Sequence, residues 1–221
     1  SFTVLISSSR TSQRGRDAAM PPKAKAKRTL ADDLTAEDIR EAFARAGFDL
    51  AAVIPPAIPE VRDTGERPLA YVKRLAREKA AAVDRPGSWV LAADTIVHQG
   101  EDIFEKPTSD ADAARMLERL AGDWHRVTTA WCLRWSGPGP SISGRRVFSG
   151  HTTSRVCFRD LQPKEIARYV ATGEGRDKAG SYAVQGDGAS LIDRVVGSTT
   201  NVVGLPLGTV VPALLSAGVS R

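Results

Sequence analysis

The chain has 221 residues, 42% of them hydrophobic and 26% charged, enough for one large domain or two small ones with a proper core. No apolar run approaches the ~20 residues of a membrane span, and the first residues lack the basic-then-apolar pattern of a secretory signal. The net charge of +5 is local: residues 1–30 hold seven Lys or Arg against one acid, Asp17, so they carry +6 and the other 191 sum to −1. A nucleic-acid surface on the folded body is therefore disfavoured, and only the basic stretch at 10–28 could touch a polyanion.

In chain order, Phe2-Thr-Val-Leu-Ile6 predicts a buried strand, followed by Ser7-Ser-Ser-Arg10. From 11 to about 33 the periodicity is lost, and residues 20–28 read as a mobile basic insertion. Thr35-Ala-Glu-Asp38 is a capping-box start with Asp in place of the preferred Glu or Gln, and Gly47 marks the end of the helix it opens. Residues 48–54 are strand-like. Pro68 suits the first turn of a second helix running to about 83, with Leu69, Val72, Leu75 and Ala76 as its apolar stripe. Lys79 falls on that stripe, where a lysine can snorkel to the rim. Residues 89–93 predict a buried central strand, 108–121 a helix, and 126–135 and 145–158 long antiparallel strands. A helix over 163–172 and a closing apolar helix after 207 complete an α/β pattern. Cys132 and Cys157 lack metal or disulfide spacing and read as free buried thiols, which suits a reducing, cytoplasmic setting. Trp124 and Trp131 read as core rather than as stacking platforms.

Chemistry concentrates at Asp94. It follows the apolar run 89–93, where a strand end would present it to a ligand. Lys79 and Lys106 flank it in sequence, and an acid between two cations is the minimum kit for a metal ion and a polyphosphate.

Leu75-Ala-Arg-Glu-Lys-Ala80, Ala92-Ala-Asp-Thr95, Glu105-Lys-Pro107, Tyr169-Val-Ala-Thr-Gly173, Asp177-Lys-Ala-Gly-Ser-Tyr-Ala-Val-Gln-Gly186 and Asn201-Val-Val-Gly-Leu-Pro-Leu207 occur in one order. Together they resemble the Maf (septum-formation inhibitor) family of nucleoside triphosphate pyrophosphatases, over roughly residues 48–215. The resemblance implies a single α/β domain across 1–221, with a Maf/ITPase-like mixed sheet, flanking helices and a central cleft. It implies hydrolysis between the α- and β-phosphates with Mg²⁺ or Mn²⁺, and a homodimer. Asp94 would be the base and a metal ligand, and Glu60 the second ligand. Lys79, Lys106 and Lys178 would hold the triphosphate. Thr95 and Gln185 match the subgroup acting on dTTP and UTP. The family's phosphate loop, Ser-x-Ser-Pro-Arg-Arg, is altered: Ser7 and Ser9 could still offer hydroxyls to phosphate, but Arg10 falls on the proline and no arginine stays in place, so that Arg10 or Arg14 would have to swing in to bind it. Arginine's two-pronged grip is not replaced by threonine. A nucleotide-binding or regulatory protein with little turnover is therefore the alternative to a working enzyme.

Overall fold

One long strand organises the molecule. The computed structural model describes residues 2–7, 34–55, 58–138, 141 and 143–220. Strand β3 (Ser88–Gln99) pairs with β5 (Trp124–Ser136) from Ser88↔Ser136 to His98↔Arg126. Beyond β5 lie β6 (Val147–Phe158) and β7 (Ile192–Val196). The other edge of β3 takes β1 (Phe2–Ser7) and then β4 (Asp102–Phe104), with β2 (Ala52–Ile54) outside β1. All these pairs are antiparallel, in the order β2-β1-β3-β5-β6-β7 with β4 beside β3. The alternation read at 126–135 and 145–158 thus becomes the β5–β6 ladder.

Two sequence expectations need correction here. Of residues 48–54 only 52–54 form a strand, since Phe48 turns into the core instead. The central strand is longer than the run 89–93, because Ile96 and Val97 continue to bury their side chains and β5 supplies partners as far as Arg126. Asp94 therefore lies in mid-strand, not at a strand end.

That placement matters because β1 stops at Phe2↔Ala93 and β4 begins at Val97↔Phe104. With β5 occupying the opposite edge throughout, residues 94–96 face a gap that no described strand fills. Side chains alternate across a sheet, so Asp94 and Thr95 leave this gap toward opposite faces.

Each face is covered by helices chosen by their apolar stripes. On the Asp94 face, α2 (Pro68–Ala81) packs Tyr71, Val72, Leu75 and Ala76 against Val90, Ala92, Ile96 and Cys132. On the other, α1 (Ala36–Arg45) sets Ile39 and Phe43 against Trp89, Leu91 and Trp131, beside α6 (Leu207–Ser216). Thr35 caps α1 reciprocally with Asp38, at 3.1 and 3.0 Å, so the shorter acid completes the box. Further along, α3 (Asp110–Leu120) and α4 (Pro163–Thr172) pack Leu117, Leu120, Ile166 and Tyr169 around Val97, Val127 and Phe158. Burying each large apolar side chain stabilises the fold by about 1.5–3 kcal/mol. Trp131 is core as expected, whereas Trp124 is half-buried under the Arg155 guanidinium, 4.4 Å from its ring. Both cysteines are free, Cys132 buried and Cys157 half-buried. Among the described residues no helix is long and apolar enough to cross a membrane.

Candidate active site

The gap beside residues 94–96 opens into a cleft of about 350 Å³, bordered by Phe2 of β1, by 94–97 of β3 and by Phe104 of β4. Glu60, Asp94, Thr95, Lys106, Lys178 and Gln185 all line it. Lys79 lies behind this lining.

On one face, α2 turns the Lys79 side chain fully inward, with 0% exposure. The apolar stripe indicated the face but not the depth; the ammonium does not snorkel. Its Nζ donates to Glu60 Oε1 at 2.6 Å and makes a short hydrogen bond to Asp94 Oδ1. Two carboxylates thus share one cation. Asp94 is only 3% exposed, whereas the Glu60 side chain keeps 41% exposure. Burial pushes the Asp94 carboxyl above the usual carboxylate range, the charge and hydrogen bond of Lys79 pull it back, and Glu60 adds a smaller upward push; the net shift is upward.

The loop carrying Glu60 is pinned to α2. Tyr71 Oη donates to the Glu60 carbonyl at 3.1 Å. Arg74 donates to the Val61 carbonyl at 2.8 Å and grips the Glu66 carboxylate at 2.9 and 2.7 Å. Burial, and then the carboxylates of Glu105, Asp94 and Glu60, push the Tyr71 phenol up to about 12, so it stays a donor at neutral pH. Lys106 is exposed at the rim. Its loop is tied to the one carrying Lys178 by the Gly180 N–H, which donates to the Glu105 carbonyl at 3.2 Å. Gly180 packs so closely on Val97 (φ +72°) that a Cβ would sit 2.9 Å from Val97 Cγ1. The Lys178 ammonium pairs with Asp177 at 2.8 Å.

On the opposite face the hydrogen-bond partners behind Thr95 are neutral. Thr95 Oγ1 lies 2.9 Å from Thr129 Oγ1 of β5, and Thr129 reaches the Asn201 carbonyl at 3.0 Å. Asn201 belongs to the short helix α5 (Thr199–Val202) and is fully buried. Gln185 is exposed and its side chain makes no capping hydrogen bond to the turn that follows it. That turn is held from below by the buried carboxylate of Glu174, which accepts the N–H groups of Asp187 and Gly188 at 3.0 and 2.8 Å. The hydroxyl of Tyr169 accepts the Ala183 N–H at 3.1 Å. Tyr182, also on the cleft wall, bonds His125 Nε2 at 2.7 Å.

Ser7 is not brought to this group. Its backbone pairs with Ser88, six positions along β3 from Asp94, roughly 20 Å at strand spacing. β1 runs antiparallel to β3, so it is Phe2 that borders the cleft. Ser9 and Arg10, with the basic insertion at about 11–33, lie outside the described residues. Tyr71, Thr129, Glu174 and Asn201 hold these groups by hydrogen bonds and are not singled out by the sequence. Tyr169 and Asn201 sit within the quoted motifs, but only the fold shows what they touch.

The model of Maf-like proteins matches residues 39–217. Relatives include the dTTP/UTP pyrophosphatase of Koribacter versatilis, 43% identical over 169 residues, covering 76% of this chain and 83% of that protein. The dTTP/UTP pyrophosphatase of Myxococcus xanthus is 46% identical over 163 residues, covering 73% and 79%. That of Anaeromyxobacter dehalogenans is 45% identical over 180 residues, covering 81% and 89%. A cleft with paired acids on one wall and neutral hydrogen-bonding groups on the other is of the kind that handles nucleotides. This chain belongs to the Maf family. The matched span begins within α1, so the stretch from Ser7 to Arg10 lies outside it.

Proposed function

We propose that this chain hydrolyses pyrimidine nucleoside triphosphates, dTTP and UTP, to the monophosphate and pyrophosphate. The observation that carries this reading is the gap in the sheet at residues 94–96, which sets an acid–lysine–acid cluster on one face and Thr95 on the other, with Gln185 lining the same cleft. A nucleotide threaded through the gap meets charge at its phosphates and neutral groups at its base.

In the reaction a water oxygen forms a bond to phosphorus, the α–β bridging P–O bond breaks, and the water proton passes to Asp94. Phosphoryl transfer needs positioning and charge neutralisation more than covalent chemistry. A base raised above the carboxylate range by burial is better matched to neutral pH than an ordinary aspartate. Lys79 holds Asp94 and Glu60 in register, and Lys106 and Lys178 meet the phosphates at the rim. The two acids and one lysine sum to −1, and the partly exposed Glu60 offers oxygen to the cleft, so the site fits Mg²⁺ or Mn²⁺. Among the described residues no group of three or more His, Cys, Asp or Glu could hold a metal, so phosphate oxygens and water would complete the shell around Glu60 and Asp94. When bound, the ion neutralises charge on the phosphates. A cytoplasmic homodimer, carried over from the family, is part of the same reading and is checked by light scattering.

The test is pyrophosphate release from dTTP, UTP, CTP and 7-methyl-GTP, with Mg²⁺ or Mn²⁺, for the full chain and for Asp94→Asn. We expect dTTP and UTP to be preferred and the variant to lose about 10³-fold in kcat. Binding without cleavage of any triphosphate would sink the hydrolase and leave the regulator. A preference for CTP or 7-methyl-GTP would remove Thr95 and Gln185 as selectors.

A further inference from the structure

The hydrogen bonds behind Thr95 have a direction. Asn201 cannot rotate: its Oδ1 accepts the Thr129 N–H at 3.1 Å, and its Nδ2 donates to the Val127 carbonyl and to Ser154 Oγ, both at 2.9 Å. Its backbone N–H is taken by Ser198 Oγ at 3.1 Å. The Asn201 carbonyl can only accept, so the 3.0 Å contact uses the single proton of the Thr129 hydroxyl. The 2.9 Å contact between Thr129 and Thr95 then requires Thr95 to be the donor. One arrangement of protons satisfies both bonds, and it leaves Thr95 with lone pairs alone to offer the cleft. Gly204 keeps that side of the hydroxyl clear: its φ of +103° suits glycine, and a Cβ there would stand 3.2 Å from Thr95 Oγ1.

We propose that Thr129 and Asn201 form a relay that fixes Thr95 as a hydrogen-bond acceptor, so that the site selects a pyrimidine presenting an N3–H, as uracil and thymine do, over cytosine, whose N3 is itself an acceptor. This rests on the nucleotide reading above and deepens it. Thr129 touches no substrate; it is a positioning residue that acts through Thr95. A site whose groups are oriented for one donor pattern rejects the opposite pattern more strongly than a shape-only pocket does.

The experiment measures binding of the α,β-methylene analogues of UTP and CTP to the full chain, to Thr129→Val and to Thr129→Ser. Wild type favours the UTP analogue. Thr129→Val frees the Thr95 proton to turn into the cleft and shrinks the UTP-over-CTP preference about tenfold, the worth of one hydrogen bond. Thr129→Ser keeps the hydroxyl and restores the preference. Mere structural damage would weaken both analogues together and leave their ratio alone. A Thr129→Val ratio within twofold of wild type, or a wild type that binds the CTP analogue at least as well, overturns the relay. Since the analogues are not cleaved, the outcome is independent of turnover, and pyrophosphate release from UTP reports separately on the hydrolase. Failure to bind either analogue overturns both.

Discussion

The two faces of the sheet at the gap are built from different physics. On the Asp94 face, Lys79 and Asp94 are buried in an apolar layer with Glu60 at its exposed edge, and one ammonium holds both carboxylates. On the Thr95 face nothing charged lines the relay: hydroxyls, amides and backbone groups are joined end to end, and a neutral histidine braces Tyr182. Charge attracts phosphate of any nucleotide but says nothing about the base. Directional neutral bonds do the reverse. In the proposed function adjacent residues of one strand serve both tasks, and β1 and β4 leave the strand edge open between them.

The contrast is broken most severely at Lys79. Lys79→Met would leave the buried Asp94 without its countercharge, and removing one partner of a buried pair destabilises by about 3–5 kcal/mol. At about 2–4 °C per kcal/mol for a chain of this size, Tm should fall by roughly 10 °C. Because the Lys79 charge is what draws the Asp94 carboxyl down, its loss should move the acid limb of the kcat/KM profile to higher pH. We expect kcat to fall with little change in KM. A rise in KM at constant kcat would instead show that Lys79 grips the triphosphate directly, as its sequence position suggested.

The second prediction concerns the neutral face. Burial pulls the His125 imidazole down to about 4 from an ordinary 6.5. The unfolded chain takes up this proton below about pH 6.5 and the folded chain does not until about pH 4. Stability tied to His125 is therefore present above pH 6.5 and is lost as pH falls toward 4, by about 3 kcal/mol in all. Asp94 has the opposite sign: its raised folded value means that acidification through that value favours the fold. His125→Gln should flatten the loss between pH 6.5 and 4 in denaturant titrations, whereas Asp94→Asn should steepen it. Equal pH slopes for wild type and His125→Gln would remove the histidine from this account.

What was legible in the sequence follows the same division. Local patterns gave α2 from Pro68 and three of its four stripe residues, since Leu69 is exposed, together with the Thr35 cap, the strands β5 and β6, and the acid at 94. The depth of Lys79 was not legible, since a helical stripe reports direction and not distance from solvent. Nor was the length of β3: Asp94-Thr95 interrupts an apolar run and reads as an ending, although β5 carries the strand onward. The neutral face was the least readable. Thr129 and Asn201 are 72 residues apart, and a buried threonine and asparagine carry no signal of their partners until the sheet is formed. The resemblance supplied Thr95 and Gln185, but not the groups that orient them.

The smallest expected effect falls on the turn that presents Gln185. Both oxygens of Glu174 accept backbone N–H groups, from Asp187 and Gly188. The fit leaves no slack, since a Cβ on Gly188 would lie 2.2 Å from the Ala183 carbonyl oxygen. Glu174→Gln keeps the volume but sets an amide donor against one of these two N–H groups, leaving at least one donor unsatisfied at a cost of about 1–3 kcal/mol. If the clasp serves only stability, Tm falls and nothing else moves. If it positions Gln185, the KM for UTP should rise about tenfold while kcat stays within a few-fold, because Asp94, the proposed base, is not held by that turn. Glu174→Gln combined with Gln185→Ala then decides the matter. Once the amide is gone, loosening its turn should add little to KM, whereas independent effects would multiply.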